Sequence, residues 1–471
     1  MGFAAFGVFW GVWGASVPAI RAQAELSDGQ LGTALLFIGA GALPAMLVTG
    51  RAVDRWGLRV AALLLVTLGA VGTLVAVAGR DVWSLSAGLA LLGASSGAAD
   101  VAINSAAASA ERSSGRPVIT RAHGTFSAMV VIGSLSTGLL LGGLGVPVVV
   151  PFLLVAGVAV GAALSVVADW RAALATQATD GTTPVAAGAA PVTEGTEGAD
   201  GTAPDEAKVP STTEGTVPDP VRATPVAEGP VPCPAGAAPV TGKTVPVAAG
   251  AARGGGRRGY PGYAVRLFPL LVVGGLGAMA FAVENAHQSW GAVYLADVAG
   301  AGPALASAGP AVFAAVVALT RFAAGAVGSR HAVTVLVSGA VTAAAGTALV
   351  SVATTVPVVL LGLALAAAGT AVLFPMLMGV VAAHVGETAR GRATSVVTTV
   401  AYLGFLAGPV YVGRWAEATG LPGAMVAVAA LAAALAVLTW PSLRSAVGTG
   451  SPWDSPPGDP DRLEDVAGRA R

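Results

Sequence analysis

The sequence predicts an all-α polytopic membrane protein with twelve transmembrane helices in two six-helix halves. The first observation is composition: 55% of the 471 residues are hydrophobic and only 11% are charged, whereas soluble domains carry about 25% charged residues. The second is a series of apolar segments of about 20 residues, the length that crosses a bilayer as a helix. The third is a long polar break between the sixth and seventh segments.

Each half contributes six apolar segments, rich in the small residues that let membrane helices approach closely. The amino-terminal half, residues 1–170, contains segments at 2–20, 31–50, 60–79, 84–110, 122–144 and 147–168. The carboxy-terminal half, residues 265–442, contains segments at 267–295, 304–327, 332–352, 357–383, 394–413 and 422–442.

The stretch between the halves has a different composition. Residues 171–264 are dominated by Pro, Ala, Gly, Thr and Val, and Gly-Ala-Ala-Pro-Val-Thr occurs at both 188–193 and 236–241. No periodic apolar face offsets the entropy of ordering this stretch. We therefore predict a disordered linker here and a similar, shorter disordered tail at 443–471.

Arginine placement predicts the orientation in the membrane. Short loops on the cytoplasmic side carry an excess of arginine and lysine. With the amino terminus inside, the outside loops hold only Arg21, Arg80 and Arg414. The inside loops then hold Arg51, Arg55, Arg59, Arg112, Arg116, Arg121, Arg330, Arg390 and Arg392. We expect a multi-pass protein of the cell (inner or plasma) membrane, with both termini and the linker cytoplasmic. No signal peptide is predicted, since no charged region precedes the first apolar run.

Several classes of function are disfavoured. The formal net charge is zero, so there is no basic surplus for binding nucleic acid. Cys233 is the only cysteine and the four histidines are scattered, so neither a cysteine-based metal site nor a catalytic triad is indicated. We expect no enzyme activity, no metal and no cofactor other than a coupling proton. The expected partners are the lipid bilayer and a small solute, and the expected state is a monomer.

The fourth segment carries a polar stripe. Ser96, Asp100 and Asn104 are spaced i, i+4 and i+8, which places them on one helix face. Ionisable groups inside a membrane are functional candidates because burying them is costly. We interpret Asp100 as a site that gains and loses a proton; the alternative is a carboxyl group that only holds helices together.

The seventh segment carries a second polar cluster. Glu284, His287 and Gln288 share a face by i, i+3, i+4 spacing, and Asn285 and Trp290 lie beside it. Such a face could bind a polyhydroxylated solute through carboxyl, amide and indole groups. The alternative is that the helix has already reached the outer interface, where polar residues are common.

Two further residues complete the candidate pathway. Arg321 lies deep in the eighth segment, where it needs a carboxylate or an anionic substrate as partner. The sequence does not identify that carboxylate. His123, near the start of the fifth segment, is a candidate for gating or proton transfer, or else a solvated interfacial side chain.

The connection between the second and third segments carries a recognisable motif. Its Gly-x-x-x-Asp-Arg-x-Gly-x-Arg pattern resembles the cytoplasmic loop between helices two and three of major facilitator superfamily transporters, carried by Gly50, Asp54, Arg55, Gly57 and Arg59. This resemblance implies the six-plus-six major facilitator fold. Asp54 is suited to meet the positive amino end of a helix, for which we expect helix eleven near residue 394.

A short repeat relates the two halves. Glu-x-x-x-Gly-Arg occurs after the fourth segment at Glu111 to Arg116 and after the tenth at Glu387 to Arg392. Corresponding loops of this kind are expected where two six-helix halves are parallel repeats. We expect both loops, like the Gly50–Arg59 turn, to take part in gating.

A closer resemblance follows from longer motifs. Asp100-x-x-x-Asn104 with the following loop, Glu284 with Trp290 and Tyr294, and the run from Tyr402 to Pro409 resemble the rhizopine-permease-like (MosC-like) branch, which is akin to L-fucose permeases. This resemblance implies proton-coupled symport of a sugar-, polyol- or inositol-derivative-like solute. One departure is Ser16, where the branch commonly has arginine. The alternative function is efflux by proton antiport, although the fifth segment lacks the proline of the usual antiporter pattern.

Overall fold

A computed structural model of the chain describes residues 1–179, 267–324, 331–385 and 387–447. Within these ranges the protein is built from helices, without strands. The amino-terminal half contains α1 Gly2–Gln23, α2 Asp28–Trp56, α3 Leu58–Ala78, α4 Val82–Ser114, α5 Val118–Gly138 with a π-helical extension Leu139–Gly143, and α6 Val149–Thr179.

The carboxy-terminal half repeats this arrangement with two interrupted helices. It contains α7 Leu267–Asp297, α8 Ala308–Ala324 preceded by the single turn Pro303–Ala306, α9 Ala332–Val352, and α10 in two segments, Val356–Thr370 and Leu373–His384. The last helical stretch is Glu387–Val447.

Gly420 divides the last helical stretch into two membrane helices. Its backbone is non-helical, with φ 76° and ψ 167°, a region that glycine enters because it has no Cβ. An unbroken helix over the apolar span Ala389–Ser445, 57 residues, would measure about 85 Å, far beyond a hydrocarbon core of about 30 Å. We number the part before Gly420 α11 and the part after it α12, which gives the twelve predicted helices.

Helix starts follow local capping chemistry. Ser27 caps α2 by accepting from the amide of Gln30, whose side chain bonds back to Ser27. Asp81 caps α4 by accepting from the amides of Trp83 and Ser84. These reciprocal bonds satisfy amides that have no partner inside the helix.

Four predicted boundaries are wrong. α12 continues to Val447, whereas the sequence predicted the tail to begin at residue 443. α6 continues to Thr179 rather than ending at residue 170, since Arg171–Thr179 contains neither Gly nor Pro. Glu111 lies in the last turn of α4 and Glu387 in the first turn of α11, so neither belongs to a loop. The predicted disorder at 180–264 and 448–471 falls outside the described residues.

Candidate functional site

The polar stripe of α4 forms a compact pair of side chains. Asn104 Nδ2 donates to Asp100 Oδ1 at 2.9 Å and to the Asp100 carbonyl at 2.9 Å. Both side chains are half-buried, whereas Ser96 is buried and donates weakly to the Gly93 carbonyl at 3.5 Å. No ion pair to Asp100 occurs among the residues that the structure describes. Asp100 therefore has an amide partner but no counter-charge.

The carboxylate that pairs with Arg321 is Glu284. Arg321 Nη2 lies 3.2 Å from Glu284 Oε1, which also accepts from Gln288 Nε2 at 3.0 Å. Arg321 Nε donates to the carbonyl of Ala371 at 3.3 Å. α7, α8 and α10 thus meet at one charged group, with Glu284 and Gln288 brought together as predicted.

His287 lies on another side of α7, inside the carboxy-terminal half. Its ring nitrogens contact the Val283 carbonyl at 2.7 Å and Thr347 Oγ1 at 3.0 Å. The ring also stacks on Phe313, with centroids 5.8 Å apart. Helical spacing alone placed His287 with Glu284, but α8 and α9 cover this side of the helix.

Asn285 and Trp290 are enclosed as well. Asn285 Nδ2 donates to the Phe405 carbonyl at 2.9 Å, and its Oδ1 accepts from Ser289 at 2.6 Å. Trp290 is fully buried, and its Nε1 has no hydrogen-bond partner in the described structure. In this conformation neither side chain lines an open space.

An aromatic cluster beside the charged groups was missed at the sequence level. The Phe281 ring lies 4.4 Å from the Phe374 centroid and 5.6 Å from that of Tyr402, which in turn is 6.3 Å from Phe405. Tyr402 is within electrostatic reach of Asp100, on the other half of the protein. The available signal was the spacing of Phe281, three residues before Glu284.

These groups lie at a similar depth. At about 1.5 Å per residue, Asp100, Glu284, Arg321 and Tyr402 lie about 20–27 Å from the ends of their helices at the Arg21 side of the bundle. His123 is exposed in α5, packs edge-on against Phe3 at 5.1 Å, and is within electrostatic reach of Arg321. Both halves therefore contribute ionisable groups to one level of the bundle.

At one end of the bundle, an ion pair between side chains joins the two halves. We call this end, which contains Arg21, Asp28, Asp297 and Gly420, the sealed end. Arg21 pairs with Asp28 at 2.9 Å, within its own half, and with Asp297 of the opposite half. Glu417 accepts from the Gly29 amide at 2.7 Å, again across the halves. Sequence reasoning missed this cluster because charges at helix ends usually only face solvent.

Close helix contacts reinforce the sealed end. A Cβ on Gly32 of α2 would lie 2.6 Å from the Pro409 carbonyl oxygen and 2.9 Å from Gly413 Cα on α11. On the other flank, Ser134 of α5 donates to the Ser307 carbonyl at 2.7 Å, with both residues fully buried. The halves thus touch through backbone atoms here.

The opposite end, which we call the open end, carries the α2–α3, α4–α5 and α10–α11 connections. Along its whole length α4 packs mainly against α1, α2, α3 and α5 of its own half. Asp54 is exposed and makes no hydrogen bond or ion pair to the described residues of α11, and a Cβ on Gly50 would have nothing within 4 Å. α5 and α8 still touch where Phe322 packs on Gly124.

The remaining gating candidates lie at this open end. Glu111 Oε2 accepts from the Ile119 amide at 2.8 Å and so caps α5, while the Arg55 guanidinium lies 5.7 Å from the Trp56 ring centre. Gly57 makes the tight α2–α3 turn with φ 62°. Exposed at this end are Arg59, Arg116 and Arg392. The Glu387 side chain is outside the described part.

Comparisons of sequence agree with this architecture. The family model of the Major Facilitator Superfamily matches residues 270–461. An uncharacterized transporter of Sinorhizobium fredii is 30% identical over 182 residues, covering 37% of this chain and 46% of that protein. An uncharacterized MFS-type transporter of Yersinia pestis is 29% identical over 128 residues, covering 27% of this chain and 33% of that protein. The chain thus spans less than half the length of these curated relatives.

Comparisons of structure cover nearly the whole chain. A variant of the nucleoside transporter NupG matches with TM-score 0.62 and 12% identity, covering 94% of this chain and 98% of that one. A bacterial homolog of the human lysosomal transporter Spinster, inward-facing and occupied, gives 0.59 and 14%, covering 96% and 97%. The human organic anion transporter MFSD10 gives 0.51 and 13%, covering 93% and 97%.

The fold and the comparisons define a class. Eleven helical stretches are long and apolar enough to span a membrane, the last of them double, and the solved transporters share this architecture over the full length. The protein is a multi-pass membrane protein with the major facilitator fold, and the family model of that superfamily matches most of its carboxy-terminal half.

Proposed function

We propose that this protein is a secondary active transporter that moves a small polar solute, of the sugar, polyol or inositol-derivative kind, by alternating access with proton symport. One observation carries the proposal. Ionisable side chains of both halves, Asp100 on one side and Glu284 with Arg321 on the other, lie at one level between a sealed and an open end. A midplane site at the interface of two rocking halves is the arrangement that secondary transporters use.

The conformation suggests which side of the membrane the site faces in this state. The arginine distribution favours a cytosolic open end, and a site sealed at the Arg21 end would then be accessible from inside. Opening outward requires that the sealed end separate and that the open end close. The contact predicted between Asp54 and α11 then belongs to the state in which the open end is shut.

Asp100 is the leading candidate for the coupling proton. Its carboxylate has an amide donor from Asn104 but no cation among the described residues. An uncompensated carboxylate inside a membrane helix is stabilised by binding a proton or a cation. The resemblance to rhizopine-permease-like and fucose-permease-like proteins supports the same role and the same class of solute.

The test uses purified protein in liposomes, to which labelled sugars and inositols are added one at a time from outside. With a proton gradient imposed, the parent protein is expected to accumulate one of them in the direction of proton flow, and Asp100→Asn to abolish accumulation while retaining counterflow. Glu25→Gln, which removes an exposed carboxyl group at the sealed end, is the control. Uphill uptake by Asp100→Asn equal to the parent would refute the role of Asp100, and solute movement against proton flow would show antiport efflux instead.

A further inference from the structure

The arginine and the carboxylate of the Glu284–Arg321 pair are unequally enclosed. The Arg321 side chain is 47% exposed, whereas that of Glu284 is only 11% exposed. One edge of the guanidinium is occupied, through Nε to Ala371 and Nη2 to Glu284. Nη1 has no partner among the described residues. The cation therefore presents an unused donor edge, while its counter-ion is held inside.

The polar and charged groups around the Glu284–Arg321 pair differ in character from one part of the site to another. His123 of α5 is within electrostatic reach of Arg321. Asp100 of α4 is within electrostatic reach of Tyr402 of α11. Of the remaining neighbours, α7 contributes the Gln288 amide and α10 the Ala371 carbonyl. A solute between the halves would meet a basic pole at Arg321 and an acidic, hydroxyl-accepting pole at Asp100.

We propose that Arg321 binds the carboxylate of an acidic solute of the sugar or polyol type, and that Glu284, displaced from the arginine, takes up a proton as the anion binds. This inference rests on the proposed transport function and names its substrate class. A planar guanidinium offers paired N–H donors that match a carboxylate. The solute hydroxyl groups would be bound by Asp100, Asn104 and Gln288, and the apolar ring or chain by Phe281.

Charge balance explains the coupling. In the empty state the positive charge of Arg321 and the negative charge of Glu284 cancel. If an anionic solute pairs with Arg321 instead, the enclosed and ionised Glu284 is left without a counter-charge. This state is strongly unfavourable. One proton from water converts it to the neutral acid, so the loaded site again has no net charge. The same net charge before and after binding lets the halves rock without carrying an extra charge through the apolar bundle.

Binding to the purified full-length protein tests this directly, with D-gluconate and D-glucose as probes that share a carbon skeleton. We expect D-gluconate to raise the melting temperature and to bind at least about tenfold more tightly than D-glucose. Its Kd should rise about tenfold per pH unit as pH increases, because one proton is taken up per anion. Calorimetry in buffers of different ionisation enthalpy measures that proton.

Substitutions at Glu284 and at Arg321 separate the roles of the two residues. Glu284→Gln should bind D-gluconate at least as tightly as the parent, and the pH dependence of its Kd should be weaker by about tenfold per pH unit, because the proton that Glu284 takes up is no longer needed. Arg321→Gln and Arg321→Lys should weaken D-gluconate about 10–100-fold and leave D-glucose unchanged. Arg80→Gln, an exposed arginine bonded to the Val77 carbonyl, controls for the loss of a positive charge.

The outcomes distinguish this inference from the proposed function. Binding and proton-driven uptake of D-glucose without D-gluconate would overturn the inference and leave proton symport standing. Unchanged pH dependence in Glu284→Gln would overturn the coupling role of Glu284. Failure of both probes to stabilise the protein would overturn the substrate class. Binding of D-gluconate without uptake in any gradient would instead count against transport.

Discussion

Removal of the Asp297 carboxylate is expected to loosen the sealed end. Arg21 joins the halves there through Asp297, while its second pair, with Asp28, lies within one half. Asp297→Asn therefore removes an attraction that exists only while the end is closed. Asp28→Asn removes one that persists in both states, so it should not favour opening.

The size of the expected effect follows from the solvent exposure of the Arg21–Asp297 pair. The side chains of Arg21 and Asp297 are 20% and 43% exposed, so solvent screens their attraction and the pair contributes about 1 kcal/mol. A loss of about 1 kcal/mol changes the ratio of sealed to unsealed protein about fivefold. The backbone bond from Gly29 to Glu417 and the glycine contacts remain, so the sealed state still predominates.

A buried reporter cysteine measures this ratio. Ser307 is fully buried between α5 and α8, and replacing Cys233, the only cysteine, with serine leaves Ser307→Cys as the single thiol. Its rate of labelling by a membrane-impermeant maleimide should rise about fivefold in Asp297→Asn, if opening is fast and labelling slow. Rates in Asp297→Asn within about twofold of those in Glu25→Gln or Asp28→Asn would refute the reasoning.

Three further changes test packing, buried polarity and capping. Gly32→Ala should raise the same labelling rate, because its methyl group would overlap the Pro409 carbonyl, whereas Gly157→Ala, which meets nothing within 4 Å, should leave it unchanged. Thr347→Val leaves a ring nitrogen of the fully buried His287 unpaired and should destabilise the protein by about 1–3 kcal/mol, measured as a lower melting temperature in detergent. The amides of Ser84 and Trp83 lower the pKa of Asp81 below its usual 3.8, so its stabilising effect is present above that pH and is lost as pH falls through the lowered pKa. Asp81→Ala should therefore lower the melting temperature at pH 7, whereas Asp81→Asn, which retains an acceptor, should lower it less; an equal drop would exclude capping as the reason.

Much of the architecture could be predicted because the apolar run of each membrane helix identifies that helix without reference to its neighbours. Each span needs about 20 apolar residues whatever its neighbours are, so all twelve helices were found without tertiary information. Boundaries were less accurate. α6 runs past residue 170 because the residues that follow, four Ala and one Leu among nine, are good helix formers.

The candidate site was only partly predictable. Spacing along α4 correctly paired Asp100 with Asn104, since residues four apart are neighbours on any helix. Spacing along α7 grouped His287 with Glu284, but it contains no information about which side α8 and α9 cover. The aromatic ring of Tyr402 beside Phe281 joins helices more than 100 residues apart, so no local pattern contains it.

The sequence by itself determined a polytopic helical protein with two related halves and buried ionisable groups, because hydrophobic length, arginine placement and the cost of buried charge act within single segments. Only the tertiary structure decided that Glu284 is the partner of Arg321, and that Arg21, through Asp297, joins the two halves at one end of the bundle. These features depend on distances of a few ångströms between helices, which packing sets and sequence separation does not.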